Sequence, residues 1–118
     1  LARRIGDFEK FTHFCAGILK EQGGILVRGF DLSKTNSPTE FSLIASGNSV
    51  RHAASLAEKV IEETRKKFGV WPQGIEGLKE GRWVVIDYGA LIVHVFYDFV
   101  RQEYRLEELW KNGSELKL

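Results

Sequence analysis

Histidine, cysteine and aspartate are the side chains best suited to acid–base, nucleophilic or metal chemistry, and their spacing in this chain of 118 residues limits what they can do. His13, His52 and His94 lack the spacing of metal ligands, and the single Cys15 excludes both a disulfide framework and a cysteine-rich zinc site. Asp7, Asp31, Asp87 and Asp98 are scattered, whereas metal-dependent phosphoryl transfer wants carboxylates one or two residues apart on a strand. The serines lie outside any Gly-x-Ser-x-Gly elbow, and Cys15 sits in an apolar helical pattern that does not stabilise a thiolate. Two arrangements remain. Asp87 with His94 could act as acid and base, although a strand histidine is more often a structural hydrogen-bonder. The turn Ser46-Gly47-Asn48-Ser49 opens a helix and is followed at once by Arg51 and His52, so its free N–H groups could hold a phosphate; a tight turn with an N-cap explains the same residues. A nucleotide-dependent transferase using Ser46 to His52 is therefore the enzymatic alternative.

The elements that must position these groups follow from periodicity. Phe8, Phe11, Cys15, Ile18 and Leu19 recur at helical spacing over residues 7–22, with Asp7 as the cap and Gly23-Gly24 as the stop. Residues 25–30 read as a strand, 31–38 as a polar loop, and 41–45 as a second strand antiparallel to the first. The longest helix spans about residues 49–67, with Val50, Ala53, Ala57, Val60, Ile61, Thr64 and Phe68 as its buried stripe. Pro72 limits the stretch that follows it to a short or edge strand.

Residues 83–87 and 91–96 form a hairpin, and a Tyr88-Gly89 turn pairs Ile86 with Leu91, Val84 with Val93, Trp83 with His94, Val85 with Ile92 and Asp87 with Ala90. A turn shifted by one residue is expected to swap these assignments. Val84, Ile86, Leu91 and Val93 then make a core face. Trp83, Val85, Ile92 and His94 make a mixed apolar and polar face more typical of a contact surface, with Tyr88 at the tip and little of its side chain in the core. Asp98 is read as the cap of a final helix carrying Phe99, Leu106, Leu109 and Trp110, and residues 112–118 as a frayed tail. The whole is an α/β (α+β) domain spanning 1–118, a small mixed sheet with helices packed on it.

Composition narrows the partners. Seventeen basic residues against sixteen acidic ones leave no global field for free nucleic acid, so a folded protein or a local patch is the better partner. No apolar run approaches 18 residues and no basic-then-apolar leader opens the chain, so a reducing, cytoplasmic setting is expected. An open sheet face bearing Trp83, Val85, Ile92 and Phe96 would favour a weak symmetric homodimer when no partner covers it.

Four motifs in order carry a resemblance. They are Phe41 to His52; Glu76-Gly77 ahead of Gly81-Arg82-Trp83-Val84-Val85-Ile86-Asp87-Tyr88-Gly89; Val93-His94-Val95-Phe96; and Arg101 to Tyr104 with Leu106-Glu107-Glu108-Leu109-Trp110. Together, across about residues 8–111, they resemble the ribosomal silencing factor family, also called Iojap-like proteins. The resemblance implies a non-enzymatic protein without cofactor or metal, on a sheet-and-helix fold similar to nucleotidyltransferases but without their catalytic carboxylates. It implies binding to protein fourteen of the large ribosomal subunit at the subunit-joining face, which keeps the small subunit from docking and represses translation. By residue match the contact set is Trp83, Asp87, Tyr88, Gly89 and His94. Ala90 stands where the family usually has an aspartate, which removes a negative charge, and Glu40-Phe41-Ser42 stands where it usually reads Asp-Tyr-Phe.

Overall fold

The computed structural model describes residues 5–118. The Asp7 carboxylate accepts from the N–H groups of Glu9 and Lys10 at 3.0 and 3.1 Å and starts α1, Phe8–Glu21. Strands β1 (Ile25–Asp31) and β2 (Phe41–Gly47) follow, then α2 (Val50–Phe68), capped by Ser49 and closed by left-handed Gly69. Its buried stripe adds Leu56 to the expected set, whereas Val50 is exposed. The chain continues with β3 (Gly74–Glu76), β4 (Trp83–Asp87), β5 (Leu91–Tyr97), α3 (Asp98–Tyr104), a 3-10 helix (Leu106–Trp110) and β6 (Ser114–Glu115).

These strands form one mixed sheet in the order β3-β4-β5-β2-β1-β6. The two expected antiparallel pairs are present, and β2 joins them by lying parallel to β5. Helices α1 and α2 cover one face, where Phe11, Cys15, Leu19, Leu56 and Val60 meet Leu43, Val84, Ile86, Leu91 and Val93. That is the predicted core face. The other face is covered only in part, by α3 and the 3-10 helix, whose Val100 and Trp110 pack with Phe30, Ile44 and Phe96.

Three expectations are corrected. First, the hairpin turn is Gly89-Ala90: the Tyr88 N–H donates to the Leu91 carbonyl at 2.9 Å, and Trp83 pairs with Phe96, Val85 with His94 and Asp87 with Ile92. Asp87 Oδ1 accepts from the Gly89 N–H at 2.8 Å and Gly89 sits at φ +90°, so the tight bend falls one residue later than the Tyr-Gly dipeptide suggested. Moving a two-residue turn by one position displaces the register by two. Every pair changes, but each residue keeps its face. Second, the final helix is broken at Arg105, which adopts φ +52°; Tyr97 rather than Asp98 occupies the cap position, and Phe99 and Leu109 are exposed. Third, the tail is a strand: β6 pairs with β1, and Arg28 holds Glu115 through two 2.8 Å hydrogen bonds. Those bonds keep the Glu115 carboxyl below its usual range.

Candidate partner-binding face

The half-covered face is built on Trp83 of β4 and His94 of β5, diagonal neighbours across the hairpin. The indole Nε1–H donates to His94 Nδ1 at 3.1 Å. A ring that accepts at Nδ1 carries its proton on Nε2, and burial lowers the His94 pKa to about 4, so the imidazole is neutral at ordinary pH. Trp83 also stacks on Phe96 at 4.9 Å and meets Tyr104 of α3 at 4.8 Å, while Trp110 lies 5.4 Å from the His94 ring. Of these rings Phe96 is fully buried, while Trp83, Val85, Asp87, Ile92 and His94 are all partly exposed.

Buried Arg101 fixes the covering helix. Its guanidinium donates to the Ile25 carbonyl at 3.2 Å, to Ser46 Oγ at 3.0 Å and twice to Glu107 Oε2, tying α3 and the 3-10 helix to β1 and β2. This is a charge-assisted bond set with few donors left over, which is how a buried arginine becomes tolerable. It also decides how much of the face α3 hides. Phe96, expected in the open patch, is fully buried.

Tyr88 requires a correction. It is 2% exposed, packs edge-on against Phe11 at 4.9 Å, and places its hydroxyl 2.7 Å from Thr64 Oγ1 beneath α2. The Thr64 hydroxyl donates to the Val60 carbonyl at 2.9 Å, so the tyrosine hydroxyl is the donor in the pair. Desolvation raises its pKa. Because β4's alternation continues through residue 88, Tyr88 points to the core face and not out of the turn. Gly89 and Asp87 shape that turn, and a Cβ at Gly89 would lie 2.9 Å from Gln73 Nε2.

The groups of the two enzymatic arrangements are largely engaged with one another and with the backbone. Asp87 is engaged by the Gly89 N–H and His94 Nδ1 by the indole, so the two do not form an acid–base pair. In the Ser46 to His52 turn the Asn48 N–H donates to His52 Nδ1 at 3.0 Å, the His52 N–H donates to Ser49 Oγ at 2.9 Å, and His52 Nε2 meets the Gln22 carbonyl at 3.0 Å. Two of the turn's backbone donors and both ring nitrogens of His52 are thus engaged within the fold, as a tight turn with an N-cap would have them. Burial raises the Cys15 thiol pKa, and among the described residues no cluster of His, Cys, Asp or Glu could hold a metal. No helix among them is long and apolar enough to cross a membrane.

Residues 7–118 match the family model described as "Ribosomal silencing factor during starvation". The chain belongs to the ribosomal silencing factor family. The silencing factor of Chromobacterium violaceum is 39% identical over 104 residues, 88% of this chain and 84% of that one. A solved structure from the same organism superposes with a TM-score of 0.83 at 31% identity, covering 88% of this chain and 86% of that one. A mouse relative named "Mitochondrial assembly of ribosomal large subunit protein 1" is 28% identical over 75 residues, 61% of this chain and 32% of that one.

In this member of the silencing-factor family the expected contact residues separate. Trp83, Asp87 and His94 share the half-open face, Gly89 bends the turn, and Tyr88 lies on the opposite side of the sheet. Tyr104 and Leu109, outside the expected contact set, are both exposed, and Tyr104 packs on Trp83. Their signal was present in the Arg101 to Tyr104 and Leu106 to Trp110 motifs. It was masked by reading those motifs as one continuous helix, which gives Leu109 a buried position.

Proposed function

We propose that this silencing factor binds the large ribosomal subunit through its protein fourteen and, by occupying the joining face, prevents association with the small subunit and so represses translation in the cytoplasm. It acts by occupancy, without catalysis or cofactor. One observation carries the reading: Trp83 and His94 form a preorganised aromatic pair, partly exposed, on the sheet face that the helices leave half open. Rigid aromatics of this kind bury large area at low entropic cost, which suits them to the centre of a protein contact. The His94 Nε2–H adds a donor for a partner carbonyl or carboxylate, and Ile92, Val85 and exposed Tyr104 extend the apolar surface. Ala90 offers no charge at the turn, so the contact relies on this apolar surface rather than on a carboxylate there. Family membership and the mouse relative's printed name, which refers to the large subunit, support the choice of partner.

The test is sedimentation of the purified protein with separated large and small subunits, followed by mixing of the two. Co-sedimentation with large subunits alone, and fewer joined ribosomes as the protein is added, is the expected result. Binding to small subunits alone, or unchanged joining with the protein bound, would overturn it.

A further inference from the structure

A second surface lies at the β3 edge of the sheet, on the helix-covered side. Between α2 and β3 runs a groove of about 620 Å³ with Ile61, Trp71, Ile75 and Leu78 along its floor, and Trp71 is 50% exposed. Its rim is polarised along α2: Glu58 and Glu62 lie toward the helix start, Arg65 and Lys66 toward its end. These charges are weakly committed. Glu62 pairs with Lys59 at 3.2 Å in an exposed pair, exposed Lys66 reaches half-buried Glu63 at 3.6 Å, and Arg65 lies over the Trp71 ring at 4.8 Å. Among the described residues Glu58 has no ion-pair partner.

The groove borders an open strand. β3 has β4 on one side and, among the described residues, no strand on the other. Ile75 pairs with Ile86 and so shares the helix-covered face, which means that a strand added beyond β3 would send alternate side chains into the groove. A second copy pairing β3 to β3 about a two-fold axis would offer only the three-residue strand Gly74–Glu76, with one apolar side chain for a groove lined by four.

We propose that this edge takes up an extended segment of another protein as a seventh strand. Its alternate apolar side chains enter the groove, a basic residue faces Glu58 and Glu62, and an acidic one faces Arg65 and Lys66. This site is separate from the Trp83 and His94 face and does not depend on the ribosome reading.

The experiment selects peptides of about ten residues, a full strand's length, from a random displayed library against the folded chain, then maps the winners by amide shifts. Expected are alternating apolar sequences with opposite charges at their ends, and shifts concentrated over residues 73–78 and 58–66. Trp71→Ala, and independently Ile75→Glu, should weaken binding about thirtyfold, and backbone N-methylation of the peptide should abolish it, while Leu109→Ala changes nothing. No enrichment, or shifts centred on Trp83 and His94, would overturn the proposal. So would undiminished binding of the N-methylated peptide, or a self-association that Trp71→Ala removes.

Discussion

The two faces of one hairpin carry similar residue types and put them to different uses. On the face under α1 and α2, Tyr88 is enclosed: its ring meets Phe11 and its hydroxyl donates to Thr64. On the other face Trp83 stacks on Phe96 and makes one hydrogen bond, yet remains partly exposed because α3 reaches it only through the exposed ring of Tyr104. An aromatic residue with a polar tip is therefore not diagnostic of a contact surface. What decides its role is whether the layer above is complete, and that depends on the length of the covering element and on the Arg101 network that anchors it.

The largest effect that could break this contrast is at Tyr88. Tyr88→Ala should cost about 3–5 kcal/mol of folding stability, the range for truncating a large buried aromatic, measured by urea unfolding. A near-neutral result would mean that the residue is not enclosed. His94 comes next. Its pKa, about 4 in the folded state, lies below the 6.5 of an unperturbed histidine, so the unfolded state binds the proton more readily as pH falls. Its neutral form is tolerated without penalty above about pH 6.5, and stability should drop by on the order of 3 kcal/mol as pH falls from 6.5 through 4. His94→Asn, which keeps an acceptor for the indole, should flatten that part of the unfolding profile relative to the parent chain.

Gly89→Ala is smaller, about 1–2 kcal/mol, since φ +90° suits glycine and the new Cβ must push the flexible Gln73 amide. Thermal unfolding reads it. Smallest is Arg51→Ala, an exposed change expected to stay within about 0.5 kcal/mol and to leave subunit binding intact; loss of binding would return the Ser46 to His52 turn to consideration.

Much of the fold was legible because burial imposes period. The α1 and α2 stripes, both antiparallel pairs and the division of the hairpin into faces all follow from apolar spacing. The exact register was not, because Tyr-Gly and Gly-Ala both make acceptable turns and the choice is made by the Asp87 carboxylate on the Gly89 N–H and by the pocket that receives Tyr88. The parallel contact of β2 with β5 and the pairing of β6 with β1 were also hidden, being long-range choices that local pattern does not encode. At the site, Trp83 and His94 were found on the right face. The misreading of Tyr88 followed directly from the one-residue error in the turn.

The central claim is that the half-open face meets the large ribosomal subunit. Its most direct test is the affinity of Trp83→Ala for isolated large subunits, with Trp71→Ala, in the groove between α2 and β3, as the control and circular dichroism to confirm folding of both. Trp83→Ala should lose about thirtyfold in affinity, corresponding to roughly 2 kcal/mol, while Trp71→Ala binds as the parent does. A folded Trp83→Ala variant that binds large subunits with undiminished affinity would contradict the account.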